Sequence, residues 1–225
     1  DVLGREVTLP KPATKVVGTH NPSMNLAIVL GGGGKYVAGF GNKKMANGLY
    51  DFVFPELAND VVQIGKGKDI NFETVASLKP DLAILPERFA NQAEQYEAIG
   101  VPAVVALPST ESFETITNAL TMVGTLLGED ERAAEIVSMF DEKIAKGSEI
   151  AAAASEKPSI LFLGSSDIHT VASDALIQSI IMEAAGGVNA ATGLDVSGDF
   201  AEVNMEQIIS WNPDVIWVPV YADYT

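Results

Sequence analysis

The chain has no cysteine. That excludes a disulfide framework, a thiolate nucleophile and a Cys-ligated metal, and it fits an oxidising compartment. Basic side chains are scarce: 14 Lys and Arg face 30 Asp and Glu, a formal net charge of −16. Nucleic-acid backbones are held by Lys and Arg, so this balance argues against nucleic acid as a partner. No apolar run approaches the roughly 20 residues that cross a bilayer as a helix, so no direct membrane span is expected. There is no signal-peptide pattern ahead of Asp1, which suggests a mature or trimmed form. No Ser sits with His and Asp in a nucleophile-elbow context, and no dinucleotide glycine fingerprint occurs. No catalytic residue and no cofactor are therefore expected.

What is present is a large apolar fraction, 47% of 225 residues, enough for one large domain or two small ones. A sixteen-residue motif occurs twice. Asn71-Phe72-Glu73-Thr74-Val75-Ala76-Ser77-Leu78-Lys79-Pro80-Asp81-Leu82-Ala83-Ile84-Leu85-Pro86 is matched by Asn204-Met205-Glu206-Gln207-Ile208-Ile209-Ser210-Trp211-Asn212-Pro213-Asp214-Val215-Ile216-Trp217-Val218-Pro219. The separation is far too long for a solenoid period and suits two similar lobes. Two lobes imply a cleft, where small ligands bind.

Each copy has a physical reading. Asn71 and Asn204 stand where an N-cap accepts a bond from an orphan N–H of the first helical turn. Glu73 and Glu206 fall in that turn, where a carboxylate suits the positive end of the helix dipole. Apolar residues follow at helical spacing. The residue before a proline avoids the α region, so the helices stop near Lys79 and Asn212. Pro-Asp then opens Leu82–Leu85 and Val215–Val218, short continuous apolar runs that read as strands buried on both faces. Each lobe is thus α/β.

Along the rest of the chain, Asp1–Leu9 alternates around Gly4 and reads as a small hairpin. Val16–Gly18 reads as a strand, residues 23–30 as a helix, and Tyr36–Phe40 and Val101–Leu107 as strands. Residues 41–68 read as loop-rich. A helix is expected over residues 112–127. Glu129 to Ser155 carries the longest helical stripe, through Ala133, Ile136, Val137, Phe140 and Ile144. At full length it would run roughly 40 Å, a spine for two lobes. Ile160–Leu163 opens the second lobe, with a helix over residues 173–185. After Pro219 too little chain follows to match the first lobe, so the second lobe is expected to be truncated, with an exposed sheet edge. The expected division is an N-terminal α/β lobe over 1–127, a linking helix over 128–156 and a partial α/β lobe over 157–225.

Candidate site residues follow from strand ends, because α/β sheets place ligand loops there. His20, with Asn21 beside it, follows the first strand of lobe one. His169, with Ser166 and Asp167 in the same loop, follows the first strand of lobe two. Two histidines facing one cleft could ligate a metal or contact an anion, but a bare Zn or Mn site would need more ligands. Arg88 follows the strand of the first repeat, where a guanidinium suits a carboxylate, hydroxamate or oxyanion; the alternative is a solvated loop arginine. Gly31-Gly32-Gly33-Gly34-Lys35 lacks the Ser/Thr and the spacing of a phosphate loop, and reads as a helix C-cap and turn.

The order and spacing of several pieces carry a family resemblance: Asp1–Val7 with Pro10, Asn71–Ile84, Gly100-Val101-Pro102, Ser112-Phe113-Glu114, Ala185–Asn189 and Glu206–Ile216. The chain resembles periplasmic solute-binding proteins of ABC importers, in the class with a helical backbone between lobes. That class serves iron-siderophores, haem, cobalamin and, in some members, molybdate. The resemblance implies an α/β fold of two Rossmann-like lobes joined by one long backbone helix, with the C-terminal lobe truncated. It implies capture of a chelated metal complex, of the iron-siderophore type, in an inter-lobe cleft, and delivery to an ABC transporter permease dimer. Haem, cobalamin, an oxyanion such as molybdate or tungstate, or a two-lobe chelatase-like enzyme are the alternatives. It further implies a ligand-stacking role for Phe200, with core packing as the other option. Glu73 and Glu206 would dock on arginines of the two permease subunits. The implied location is the periplasm or the extracellular face of the membrane, with a lipid anchor on the full-length precursor.

Overall fold

Three fully apolar stretches organise the first part of the molecule. In a computed structural model, which describes residues 1–41, 52–55, 57, 60–164, 167–194, 198–219 and 222, these are β1 (Val16–Gly18), β6 (Leu82–Pro86) and β7 (Ala103–Leu107), buried along their whole lengths. With β2 (Val37–Phe40) and β3 (Val62–Gln63) they form a parallel sheet in the order β3-β2-β1-β6-β7. Period-two alternation splits its side chains between two cores. Val16, Leu82, Ile84, Val104 and Ala106 face one cluster, while Val17, Ala83, Leu85, Ala103 and Val105 face another. The first face is covered by α1 (Asn21–Gly31) and by α4 (Phe113–Leu127) through Leu120, Val123 and Leu127. The second is covered by α2 (Phe72–Leu78) and α3 (Ala93–Ala98), through Val75 and Tyr96. Each fully buried aliphatic side chain stabilises this arrangement by about 1.5–3 kcal/mol. A small antiparallel pair, β4 (Gly65–Lys66) and β5 (Asp69–Ile70), precedes α2.

α5 (Asp130–Ala153) is the long helix expected from the stripe. The described residues divide into two compact units, Asp1–Ser109 with Glu114–Val137, and Thr110–Phe113 with Ser138–Thr225, so the division falls within α5.

The second unit repeats the theme on a smaller scale. β8 (Ser159–Phe162) is the centre of a parallel sheet ordered β10-β8-β12, with β10 at Val188–Asn189 and β12 at Val215–Trp217. α6 (Ile177–Ala184) packs through Met182 on the face that carries Ile160 and Phe162. β9 (Thr170–Ala172) and β11 (Phe200–Glu202) form an antiparallel pair, and α7 (Met205–Trp211) precedes β12.

Two expectations from the sequence fail. Asp1–Leu9 is not a hairpin. The Asp1 carboxylate accepts bonds from the N–H groups of Leu3 (3.2 Å), Arg5 (3.0 Å) and Val105 (3.2 Å) and from the Arg5 guanidinium (2.8 Å). This aspartate-centred turn ties the N-terminus to β7 and outcompetes strand pairing. β12 is also not buried on both faces. It lies at the edge of its sheet, and Val215 (39%) and Ile216 (51%) are exposed.

Candidate functional site

The repeat builds the same small machine twice. Asn71 Oδ1 accepts from the Thr74 N–H at 2.9 Å, and Asn204 Oδ1 from the Gln207 N–H at 2.8 Å. Both helices end in the left-handed region, at Lys79 (φ 50°) and Asn212 (φ 45°). The aspartate of each copy then clamps its strand to the first strand of its own unit. Asp81 Oδ2 accepts from the Thr14 N–H and hydroxyl and the Lys15 N–H, and Asp214 Oδ2 accepts from the Ser159 N–H. Those bonds to Thr14 hold the Asp81 carboxyl below its usual range. Glu73 and Glu206 project from equivalent first turns and are exposed. Glu73 borders a shallow depression lined by Gly65, Asp69, Ile70, Asn71 and Phe72.

In the first unit, the carboxyl ends of β1 and β6 bring His20, Asn21 and Arg88 into one neighbourhood. His20 takes the N-cap position of α1 with an extended backbone (φ −101°, ψ 121°), but its ring does not cap the helix. Instead Nδ1 lies 2.8 Å from Ser23 Oγ, and the ring meets Phe89 edge-on at 6.3 Å between centroids. The Arg88 guanidinium lies over the other partner of this contact, 5.3 Å from the Phe89 centroid. Burial, and then the nearby Arg88 charge, push the His20 pKa down to about 4, so the imidazole is neutral at pH 7. Asn21 Oδ1 is buried with no partner among the described residues, as is Gln92 Oε1. Thr19 Oγ1 donates to Gly67 O (2.8 Å) and Gln92 Nε2 to Lys68 O (3.4 Å), so the 67–68 turn is laced to the end of β1 and to the short helical turn that follows β6.

The second unit groups its candidates around the loop after β8. Asp167 Oδ1 contacts both the N–H (2.9 Å) and Nδ1 (2.8 Å) of His169, and these bonds hold the Asp167 carboxyl below its usual range. Both side chains are exposed. The Val203 N–H donates to His169 O (2.8 Å), which ties β11 to this loop. Phe200 is the first residue of β11, 40% exposed, with its ring against Gly164. Ser166 lies outside the described residues.

The family of periplasmic binding proteins matches residues 16–220. The chain belongs to that family. A periplasmic binding protein captures and carries a solute and is not an enzyme. The molybdate-binding protein MolA of Haemophilus influenzae is 26% identical over 243 residues, covering 97% of this chain and 67% of that protein. The molybdate-bound structure of MolA, cognate to a Haemophilus influenzae ABC transporter, superposes with a TM-score of 0.79 at 20% identity, over 97% of this chain and 72% of that one. The vitamin B12-binding protein of Yersinia pestis is 27% identical, over 94% of this chain and 72% of its own length. A periplasmic solute-binding protein from Veillonella parvula gives a TM-score of 0.81 at 26% identity, covering 99% of this chain and 68% of that one. Among the described residues, no helix is long and apolar enough to cross a membrane.

In this periplasmic binding protein, sequence reasoning missed Ser23 and Phe89 around His20. Ser23 sits three residues after His20, a spacing that one helical turn brings together. Phe89 is adjacent to Arg88 and was legible as its neighbour. The ladder of β9 and β11 was also missed, because three-residue strands leave almost no periodic signal.

Proposed function

We propose that this periplasmic binding protein captures a chelated metal complex, of the iron-siderophore type, and delivers it to the permease dimer of an ABC importer. The observation that carries the reading is the grouping of a neutral buried imidazole, a guanidinium and an aromatic ring at His20, Arg88 and Phe89. When Nδ1 donates to Ser23 Oγ, Nε2 presents a lone pair to a metal or to a ligand donor. Arg88 suits the anionic arms of a chelate, and the ring edge suits its apolar framework. Asn21 in the first unit, and Asp167, His169, Phe200 and the Ser166 loop in the second, complete the proposed set of contacts. A second reading, an oxyanion such as molybdate, is favoured by the likeness to MolA and by the Arg88 charge acting on His20, the N-cap residue of α1.

Delivery rests on the repeat. Glu73 and Glu206 occupy matching, exposed first-turn positions, so each can pair with one arginine on a two-fold permease.

Calorimetric titration with ferric hydroxamate and ferric catecholate chelates, haemin, cyanocobalamin and molybdate tests the reading. One-to-one binding of a ferric chelate with a raised Tm is expected. Tightest binding of molybdate would replace it with the oxyanion reading. His20→Ala and Arg88→Ala should each weaken the preferred ligand about tenfold, as expected for one charged or metal contact of about 1.4 kcal/mol. Affinities within twofold of the unaltered chain would show the site to be misplaced.

A further inference from the structure

Just beyond the first strand of the second unit stands a residue with no side chain, and a partly exposed aromatic ring occupies the space. Gly164 follows Leu163 at the carboxyl end of β8, and its N–H donates to Thr170 O at 2.7 Å. Leu163 bridges Val171, and β9 pairs antiparallel with β11 so that Phe200 stands opposite Ala172. This pairing carries the Phe200 ring onto Gly164. A Cβ at position 164 would collide with Cδ1 and Cε1 of the ring and lie 3.2 Å from Cγ. The backbone of Gly164 is outside the left-handed region, so an L side chain is excluded there by the ring and not by φ. Phe200 nonetheless keeps 40% of its surface exposed.

An exposed phenylalanine ordinarily samples several rotamers and must be ordered when a ligand arrives. Here one edge of the ring is seated on backbone while part of the residue stays exposed. We propose that Gly164 is a positioning residue: it seats the Phe200 ring as a pre-ordered platform for a ligand with a flat conjugated or aryl face. This rests on the reading that Phe200 touches the transported solute. A ring held in place stacks without a further entropic cost, and stacking on it suits an aryl chelate or a planar macrocycle. A tetrahedral oxyanion gains nothing from it.

The test is a double-mutant cycle with haemin as the flat-faced probe, joined to 19F NMR of 4-fluorophenylalanine placed at position 200. Gly164→Ala should weaken haemin binding about three- to tenfold, the range of one aromatic stacking contact. Phe200→Ala should weaken it at least as much, and the double variant no more than Phe200→Ala alone, because Gly164 acts through the ring. Additive losses, or a loss in Phe200→Ala with none in Gly164→Ala, would overturn the proposal. Unchanged affinity in Phe200→Ala, or no haemin binding by the unaltered chain, would remove Phe200 from the haemin contact and with it the platform role for this ligand class. The seat itself is then decided by NMR. A narrow resonance that shifts and broadens in Gly164→Ala supports it, and identical spectra refute it. If Gly164→Ala does not fold, Gly164→Ala/Phe200→Ala should, since removing the ring relieves the clash. Failure of both variants would assign Gly164 to backbone structure and overturn the proposal.

Discussion

His20 is a buried imidazole whose protonation is opposed by desolvation and by Arg88, and its folded pKa of about 4 lies below the ordinary 6.5. Between pH 6.5 and 4 the unfolded chain binds the proton and the folded chain does not. Stability from this group is therefore fully present above pH 6.5 and is lost as pH falls towards 4. The loss between pH 7 and pH 5 should be about 2 kcal/mol. His20→Asn should flatten this part of the acid-melting curve, and an unchanged slope of stability against pH would show that the ring is not held neutral. A second residue-scale contrast lies at the two helix ends. Lys79 and Asn212 share the left-handed conformation, which costs an ordinary side chain about 1 kcal/mol but is readily adopted by asparagine. Lys79→Gly should thus raise the denaturation midpoint, while Asn212→Gly should leave it nearly unchanged. Equal responses in chemical denaturation would contradict the assignment of strain to Lys79.

At the scale of elements, each repeat is a helix capped at its start, turned at its end and clamped to a neighbouring strand. Removing the cap by Asn71→Ala or Asn204→Ala should cost about 1 kcal/mol. The clamps differ in size. Asp81 accepts three bonds across Thr14 and Lys15, whereas Asp214 accepts one, from Ser159. Asp81→Ala should therefore destabilise by about 1–2 kcal/mol and Asp214→Ala by less. Urea titrations of the four variants read both comparisons, and a larger loss at Asp214 would mean that the bonds are not what the aspartates contribute. The pairing of short strands in the second unit follows the same logic, because β9 and β11 are held by their mutual ladder and by the loop bonds at Gly164 and His169.

For the whole molecule, a net charge of −16 means that the proposed docking would depend on where the negative charge is presented. Exposed ion pairs each contribute at most about 1 kcal/mol, so neither Glu73 nor Glu206 alone should decide transport. Two contacts on one carrier raise the effective concentration of the second. Glu73→Ala/Glu206→Ala should therefore slow uptake in reconstituted transporter vesicles more than either single change, with ligand affinity unchanged. Raising salt should mimic the double variant, because exposed pairs are screened. Uptake by the double variant at the unaltered rate, with ligand and carrier both limiting, would sink the docking role and leave two dipole partners.

The elements whose signal is local were readable from the chain alone. Asn caps, proline stops and the apolar runs at Val16–Gly18, Leu82–Leu85 and Val101–Leu107 act through near neighbours or through a strand's own composition, and the duplicated motif announced two α/β units. The fate of Asp1–Leu9 depended on Val105, a residue remote in sequence, whose N–H joined those that the Asp1 carboxylate gathers into a turn. The exposure of β12 depended on which strand it neighbours, and apolar composition cannot encode a place in a sheet. Arg88 and His20 could each be placed at a strand end by rule, but that the two share one neighbourhood could not be read there. Ser23 and Phe89 enter through the pitch of a helix and a short helical turn respectively, and the low pKa of His20 through burial that only packing creates. Gly164 was silent in the sequence, because a glycine acquires meaning from what occupies the space its side chain would fill, and that occupant is brought by a strand pairing between residues far apart in the chain.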